Sequence, residues 1–236
     1  MKNVFIYCLR MRISTAFYAV FHLIFLFFFN TISAQITPQK VINADFINAH
    51  FNDSLMDNKS MDSVFMRQIK GALMFYPELK NATIKFRIKK TQSPLAARPT
   101  FWAIFQKPKN RTYLITISHK TSDRFSPILL ENLSFDAQVG VLGHELSHIA
   151  FYNQKKGAYF IRLVFMQLNT KAMDKFENET DKRCIKHGLG YQLLSWSTEV
   201  REKLGVKTWR GVDDNAVTEK ERYMSPASIL KAINEL

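Results

Sequence analysis

The sequence predicts an α+β fold in which a small mixed or antiparallel sheet precedes a buried central helix and a helical C-terminal part. Three observations carry this. β-Rich runs cluster between residues 82 and 118. From Phe135 onward the apolar spacing turns helical. Gly157 and Gly188 fall where that helical pattern breaks.

The first 34 residues stand apart. Lys2, Arg10 and Arg12 give a basic start, "AFYAVFHLIFLFFF" follows from Ala16 to Phe29, and small Ser33 and Ala34 precede Gln35. This is the layout of a secretory signal, cleaved after Ala34. The alternative is an uncleaved membrane anchor, against which the apolar run is shorter than the roughly 20 residues that a spanning helix needs. The expected organisation is a signal peptide over 1–34 and a single domain over 35–236, exported to the periplasm or beyond in a bacterial cell.

Residues 35–57 read as an irregular lead-in with one short helix near 42–51. "SMDSVFMRQIKGALMFY", 60–76, has the spacing of an amphipathic helix stopped by Pro77. "ATIKFRIKK" alternates Ile84, Phe86 and Ile88 with Lys85, Arg87 and Lys89, as a strand with one wet face does. "TQSPLAARP" reads as a loop. "TFWAIF" and "TYLITIS", separated by "QKPKN", read as an antiparallel hairpin. Helices are expected over about 135–152, 158–170, 172–187 and 190–204, then a loop-like tail and a last short helix over 225–235. The run "AYFIRLVFMQL", 158–168, is expected to be a core helix, being short and interrupted by Arg162; membrane association through it is a third, weaker reading.

Composition narrows the function classes. A chain of 236 residues with 47% hydrophobic content can build a real core. Removing residues 1–34 lowers the formal net charge of +13 by three, so the mature surface stays basic and suits anionic partners such as envelope lipid or acidic protein. The charges are dispersed and lack a ladder of stacking aromatics, so no nucleic-acid partner is expected. Cys184 alone remains beyond the signal, which excludes an internal disulfide.

The chemistry concentrates in "GVLGHELSHIAFYN", residues 140–153. Four residues of helix return nearly to the same face, so His144 and His148 project in parallel and can share one ion. Glu145 is rotated by roughly 100° and suits a base for water on that ion. Val141, Leu142, Leu146 and Ile149 bury the helix, and Gly140 and Gly143 imply a close neighbour. A catalytic zinc needs a third protein ligand. After His148 the candidates are Glu177, Glu179, Asp181, Cys184 and His187. Glu177 and Asp181 are four apart and share a face; Glu179 points elsewhere. Cys184 reads mainly as core and His187 as a helix-end residue.

HExxH followed by a helix bearing Glu-x-x-x-Asp resembles the gluzincin metallopeptidases, and is similar to the CAAX-protease and HtpX-like group with its soluble minigluzincin relatives. That group usually carries Glu-x-x-Ala-Asp; here Thr180 stands in place of the Ala. The resemblance covers about residues 82–190. It implies a zincin-like fold with an edge strand and hairpin before the active-site helix, and one Zn²⁺ per chain held by His144, His148 and Glu177. It further implies Glu145 as general base, Asp181 behind the ligands accepting a histidine N–H, and a cationic or phenolic oxyanion stabiliser, for which Tyr223, Arg222 and His119 are candidates. The expected function is therefore an exported zinc metallopeptidase that hydrolyses peptide or protein substrates through a zinc-bound water activated by Glu145. The strand near Pro99–Phe105 is expected to receive the substrate, with Phe101, Trp102 or Phe105 lining its pockets. The alternative is a non-catalytic zinc-containing module that docks acidic or envelope partners through its basic surface; peripheral envelope contact fits either reading.

Overall fold

The computed structural model describes residues 38–61, 63–211 and 221–236. The segment 1–34 expected to be a signal, and residues 212–220 of the expected tail, lie outside them. The chain divides into Met1–Gln35 and a compact unit, Ile36–Leu236. That unit is α+β.

Helix α1 (Ala44–His50) starts where the Asn43 side chain accepts from the Phe46 N–H. Strand β1 (Lys59–Ser60) is brief. Helix α2 (Met66–Leu73) is shorter than the 60–76 expected, because residues 63–65 form a 3₁₀ turn before it; Pro77 opens another 3₁₀ turn after it. Strands β2 (Thr83–Ile88), β3 (Leu95–Pro99) and β4 (Thr112–Ile117) complete a mixed four-stranded sheet in the order β1-β2-β4-β3. β1 and β4 both lie parallel to β2, whereas β3 runs antiparallel to β4.

Two expectations are corrected here. "TQSPLAARP" is not all loop, since its second half is edge strand β3. "TFWAIF" is not a strand: Phe101–Phe105 form a 3₁₀ turn. The Thr100 N–H closes the ladder on the Thr112 carbonyl at 2.9 Å, and there the chain leaves the sheet. Arg111, fully buried, then holds the turn. Its Nε donates to the Ala103 and Gln106 carbonyls and its Nη1 to those of Tyr152 and Lys155.

Helix α3 (Phe135–Asn153) crosses the centre of the unit with nearly every residue buried. Ser134 caps it by accepting from the Ala137 N–H. Helices α4 (Ala158–Gln167) and α5 (Thr170–Cys184) follow, then a π-helical stretch, Ile185–Leu189, that joins α6 (Gly190–Leu204). Gly188 takes φ +93° in that stretch, a conformation that L side chains rarely adopt. Helix α7 (Pro226–Asn234) packs against α6. The expected close neighbour of Gly140 and Gly143 is the α6 side of this bend. A Cβ at Gly140 would lie 2.1 Å from the Gln192 carbonyl oxygen, and one at Gly143 would lie 2.4 Å from Leu189 Cδ1.

Helix α4 is not the core helix expected. Phe160 is buried, but Ile161, Val164, Phe165 and Leu168 are exposed.

Candidate metal centre

Helices α3 and α5 bring His144, His148 and Glu177 into one buried group. The Nε2 atoms of the two histidines are 3.1 Å apart, and Glu177 Oε2 lies 3.1 Å from His144 Nε2 and 3.2 Å from His148 Nε2. An ion with bonds of about 2.0–2.1 Å to a tetrahedral set has ligand–ligand edges of about 3.3–3.4 Å. The triangle is therefore the right size, within a few tenths of an ångström, to hold a small metal ion.

The neighbours decide where the protons sit. His144 Nδ1 is 2.7 Å from Asp181 Oδ1, and only its N–H can serve that carboxylate. The Thr180 hydroxyl donates to the Phe176 carbonyl at 2.9 Å, so its lone pair takes the Nδ1–H of His148 at 3.4 Å. In the neutral rings both Nε2 atoms then carry lone pairs, facing each other and a carboxylate oxygen. Three acceptors this close need a cation among them. Protons compete for the place. Burial opposes charge on His144, but the contacts to Asp181 and Glu177 outweigh it and hold its pKa well above the usual imidazole value. Burial likewise disfavours a charged Glu177, yet the two imidazoles win and lower its pKa. Metal binding here must release protons.

Glu145 is buried beside the triangle. Burial raises its pKa and the charge of Glu177 adds to that, while the two imidazoles and the backbone amide of Ala97 pull it down. Its environment thus makes it a stronger base than a solvated carboxylate. The Ala97 contact follows from the strand register. Ser118 donates to the Pro94 carbonyl, and Thr100 to that of Thr112, so even-numbered residues of β3 turn their backbone groups towards β4. Leu95, Ala97 and Pro99 turn theirs outward, over the site.

Two pockets of about 90 and 180 Å³ meet at Ser93, Leu95, His144, Glu145 and Tyr223. The first is walled by Leu130, Leu133, Val141, Trp196 and Trp209. The second lies between β3 and α4, with Ala96 and Ala97 on one side and Leu163 and Gln167 on the other.

The remaining candidates separate by position. Asp181 lies behind His144, and its Oδ2 also accepts the Met224 N–H at 2.8 Å, which draws the 221–225 segment to the centre. Tyr223 consequently lines both pockets, its ring centroid 5.6 Å from that of His144. Burial and the carboxylates of Glu177 and Glu145 raise its pKa well above the ordinary phenol value. Arg222 lines the first pocket with its Nε 3.2 Å from Asp174 Oδ1. His119 is exposed beyond the end of β4 and lines neither pocket. Glu179 is on the outer face, paired with Lys182. Cys184 is buried against Gly140, its thiol pKa raised by burial. His187 stacks on Tyr76 and lies 2.9 Å from Glu78. Phe101, Trp102 and Phe105, expected at the substrate pockets, line neither one.

Sequence reasoning missed two participants. Thr180 stands where the resembled group has Ala and was assigned no role, whereas its hydroxyl contacts His148 Nδ1 at 3.4 Å; a hydroxyl four residues after a helical aromatic and three after Glu177 was the available signal. Ala97 was missed because its role is purely backbone. Comparisons of the chain with protein families, curated proteins and solved structures return no match, so the functional reading stands on this geometry.

Proposed function

We propose that the chain is a zinc-dependent peptidase of zincin-like fold and gluzincin type, acting on extended peptide segments. One observation carries the reading: three mutually close ligand atoms, their protons drawn to the far side of each imidazole, with a buried carboxylate on the residue next to His144. Two imidazoles and one carboxylate suit zinc, whereas calcium and magnesium prefer all-oxygen sets. His144, His148 and Glu177 would hold the ion, which when bound supplies Lewis-acid polarisation and lowers the pKa of water.

The chain's own groups do the rest. Glu145 accepts a proton, and its raised pKa suits it to hand that proton on to a leaving amine. Ala97 presents an outward N–H and C=O, so a peptide can add to β3 as another strand and pass over the centre. Backbone pairing of that kind binds extended chains with little sequence preference. Tyr223 keeps its proton at neutral pH and has an O–H to donate where negative charge develops. Export through residues 1–34 belongs to the same proposal.

The test is metal content of the purified chain, followed by hydrolysis of an unstructured peptide by wild type and Glu145→Gln. The variant keeps shape and metal but loses the proton acceptor, so activity should fall by roughly 10²–10⁴-fold. A metal-free wild type, or an equally active variant, sinks the proposal; the second result would favour a non-catalytic binding module.

A further inference from the structure

Ile161, Val164, Phe165 and Leu168 recur at i, i+3, i+4 and i+7, the spacing of one helical face. In α4 that face points outward, its members 60–83% exposed. A second apolar group stands on the 3₁₀ turn after β3, where Phe101, Trp102 and Phe105 are 66–72% exposed and touch mainly one another, with ring centroids 5.2–6.3 Å apart. Arg111 joins the two groups. It binds the carbonyls of the aromatic turn, and its guanidinium stacks over Phe160 of α4 at 5.0 Å. Solvent-facing apolar surface on this scale marks a docking site.

The charges around it indicate what docks. Residues 79–122 contain no Asp or Glu, and neither do residues 146–173. These stretches build the turn and α4, and they carry Arg98, Lys107, Lys109, Lys155, Lys156, Arg162 and Lys171 close in sequence to the apolar groups, each at least partly exposed. Two copies of so uniformly cationic a face repel each other. A continuous anionic surface with an apolar layer beneath it complements both features. No described helix is long and apolar enough to cross a membrane, so the contact is superficial.

We infer that this face docks the protein peripherally onto an anionic lipid bilayer. The aromatic turn and the outer stripe of α4 enter the interfacial layer, and the cations meet lipid phosphates. The inference stands whether or not the metal centre hydrolyses peptides.

The experiment uses the compact unit Ile36–Leu236, free of the preceding apolar run. Co-sedimentation is measured with vesicles of phosphatidylglycerol in phosphatidylcholine and with phosphatidylcholine alone. Trp196 and Trp209 are buried, so a blue shift of emission on binding reports Trp102. Binding should require phosphatidylglycerol, weaken with salt and shift the emission. Phe101→Ser/Phe105→Ser, which keeps the Trp102 reporter, should reduce the shift, and adding Trp102→Ser should remove most binding in co-sedimentation. Lys107→Gln/Lys109→Gln should weaken partitioning roughly 25-fold, at roughly fivefold per cation near an anionic surface. All five side chains are exposed, so melting curves should match wild type, and the charge variant decides alone if the aromatic one is unstable. No binding at low salt, equal binding to neutral vesicles, or wild-type binding by the charge variant overturns the inference. A wild-type dimer that the aromatic variant dissociates also overturns it, by assigning the face to self-association.

Discussion

Replacing Asp181 with Asn tests the centre without changing its shape. Asp181 is fully buried and accepts two hydrogen bonds, from His144 Nδ1 at 2.7 Å and from the Met224 N–H at 2.8 Å. An amide offers one acceptor and one donor, so it can satisfy only one of them. If its oxygen stays with His144, its NH₂ faces the Met224 N–H, and donors left buried without acceptors cost about 1–3 kcal/mol of folding stability. If it flips, its NH₂ donates to Nδ1 and drives the imidazole proton to Nε2, into the metal triangle. Disturbing such a partner costs roughly 10- to 100-fold in metal affinity, or about 1.4–2.7 kcal/mol. Urea denaturation of the metal-free chain reads the first outcome, and competition against a chelator reads the second. Asp181→Ala should lose on both. An Asn variant with unchanged stability and with affinity within twofold of wild type would refute the assigned proton positions.

Gly140→Ala should destabilise the fold by about 1–3 kcal/mol, towards the upper end because the new Cβ meets the backbone of Gln192 at 2.1 Å; chemical denaturation measures it. Ala97→Pro removes an outward N–H and no bond to β4, but that N–H also contacts Glu145, so KM for an unstructured peptide should rise severalfold and kcat should change, with metal content unchanged; an unchanged KM removes β3 as the substrate edge. His187 titrates above the ordinary imidazole value: burial opposes its charge, but Glu78 and the Arg183 carbonyl outweigh that. A raised folded-state pKa adds stability below the unfolded value, near pH 6.5, that is lost as pH rises through the folded one. Glu78→Gln should therefore lower stability at pH 5.5, by no more than about 1 kcal/mol for a partly exposed pair, and converge with wild type by pH 9. A pH-independent difference would contradict the pairing.

The sequence made α3 and α5 readable because their information is local. Spacing of four aligns His144 with His148 and Glu177 with Asp181, and a helix preserves that spacing whatever surrounds it. β3 was not readable on those terms. Leu95-Ala96-Ala97-Arg98-Pro99 has no β-branched residue, and its extended state comes from pairing with Thr112–Ile117. Conversely, "TFWAIF" has high strand propensity, but the ladder ends at Thr100 and Arg111 captures its carbonyls. Helix α4 was legible as a helix, yet periodicity defines a stripe without saying which way it faces. Tyr223 reaches the site through Asp181 and the Met224 N–H, a link across 43 positions that no local pattern encodes.

The four carbonyls gathered by Arg111 also bear on how the molecule breathes. They belong to two chain segments, Ala103–Gln106 and Tyr152–Lys155, otherwise far apart in sequence. Separating the segments leaves buried guanidinium donors without acceptors, so either segment opens only with the other. Amides of the aromatic turn and of the C-terminal end of α3 should accordingly exchange with deuterium as one cooperative unit. The aromatic turn and the end of the central helix would share a single opening free energy.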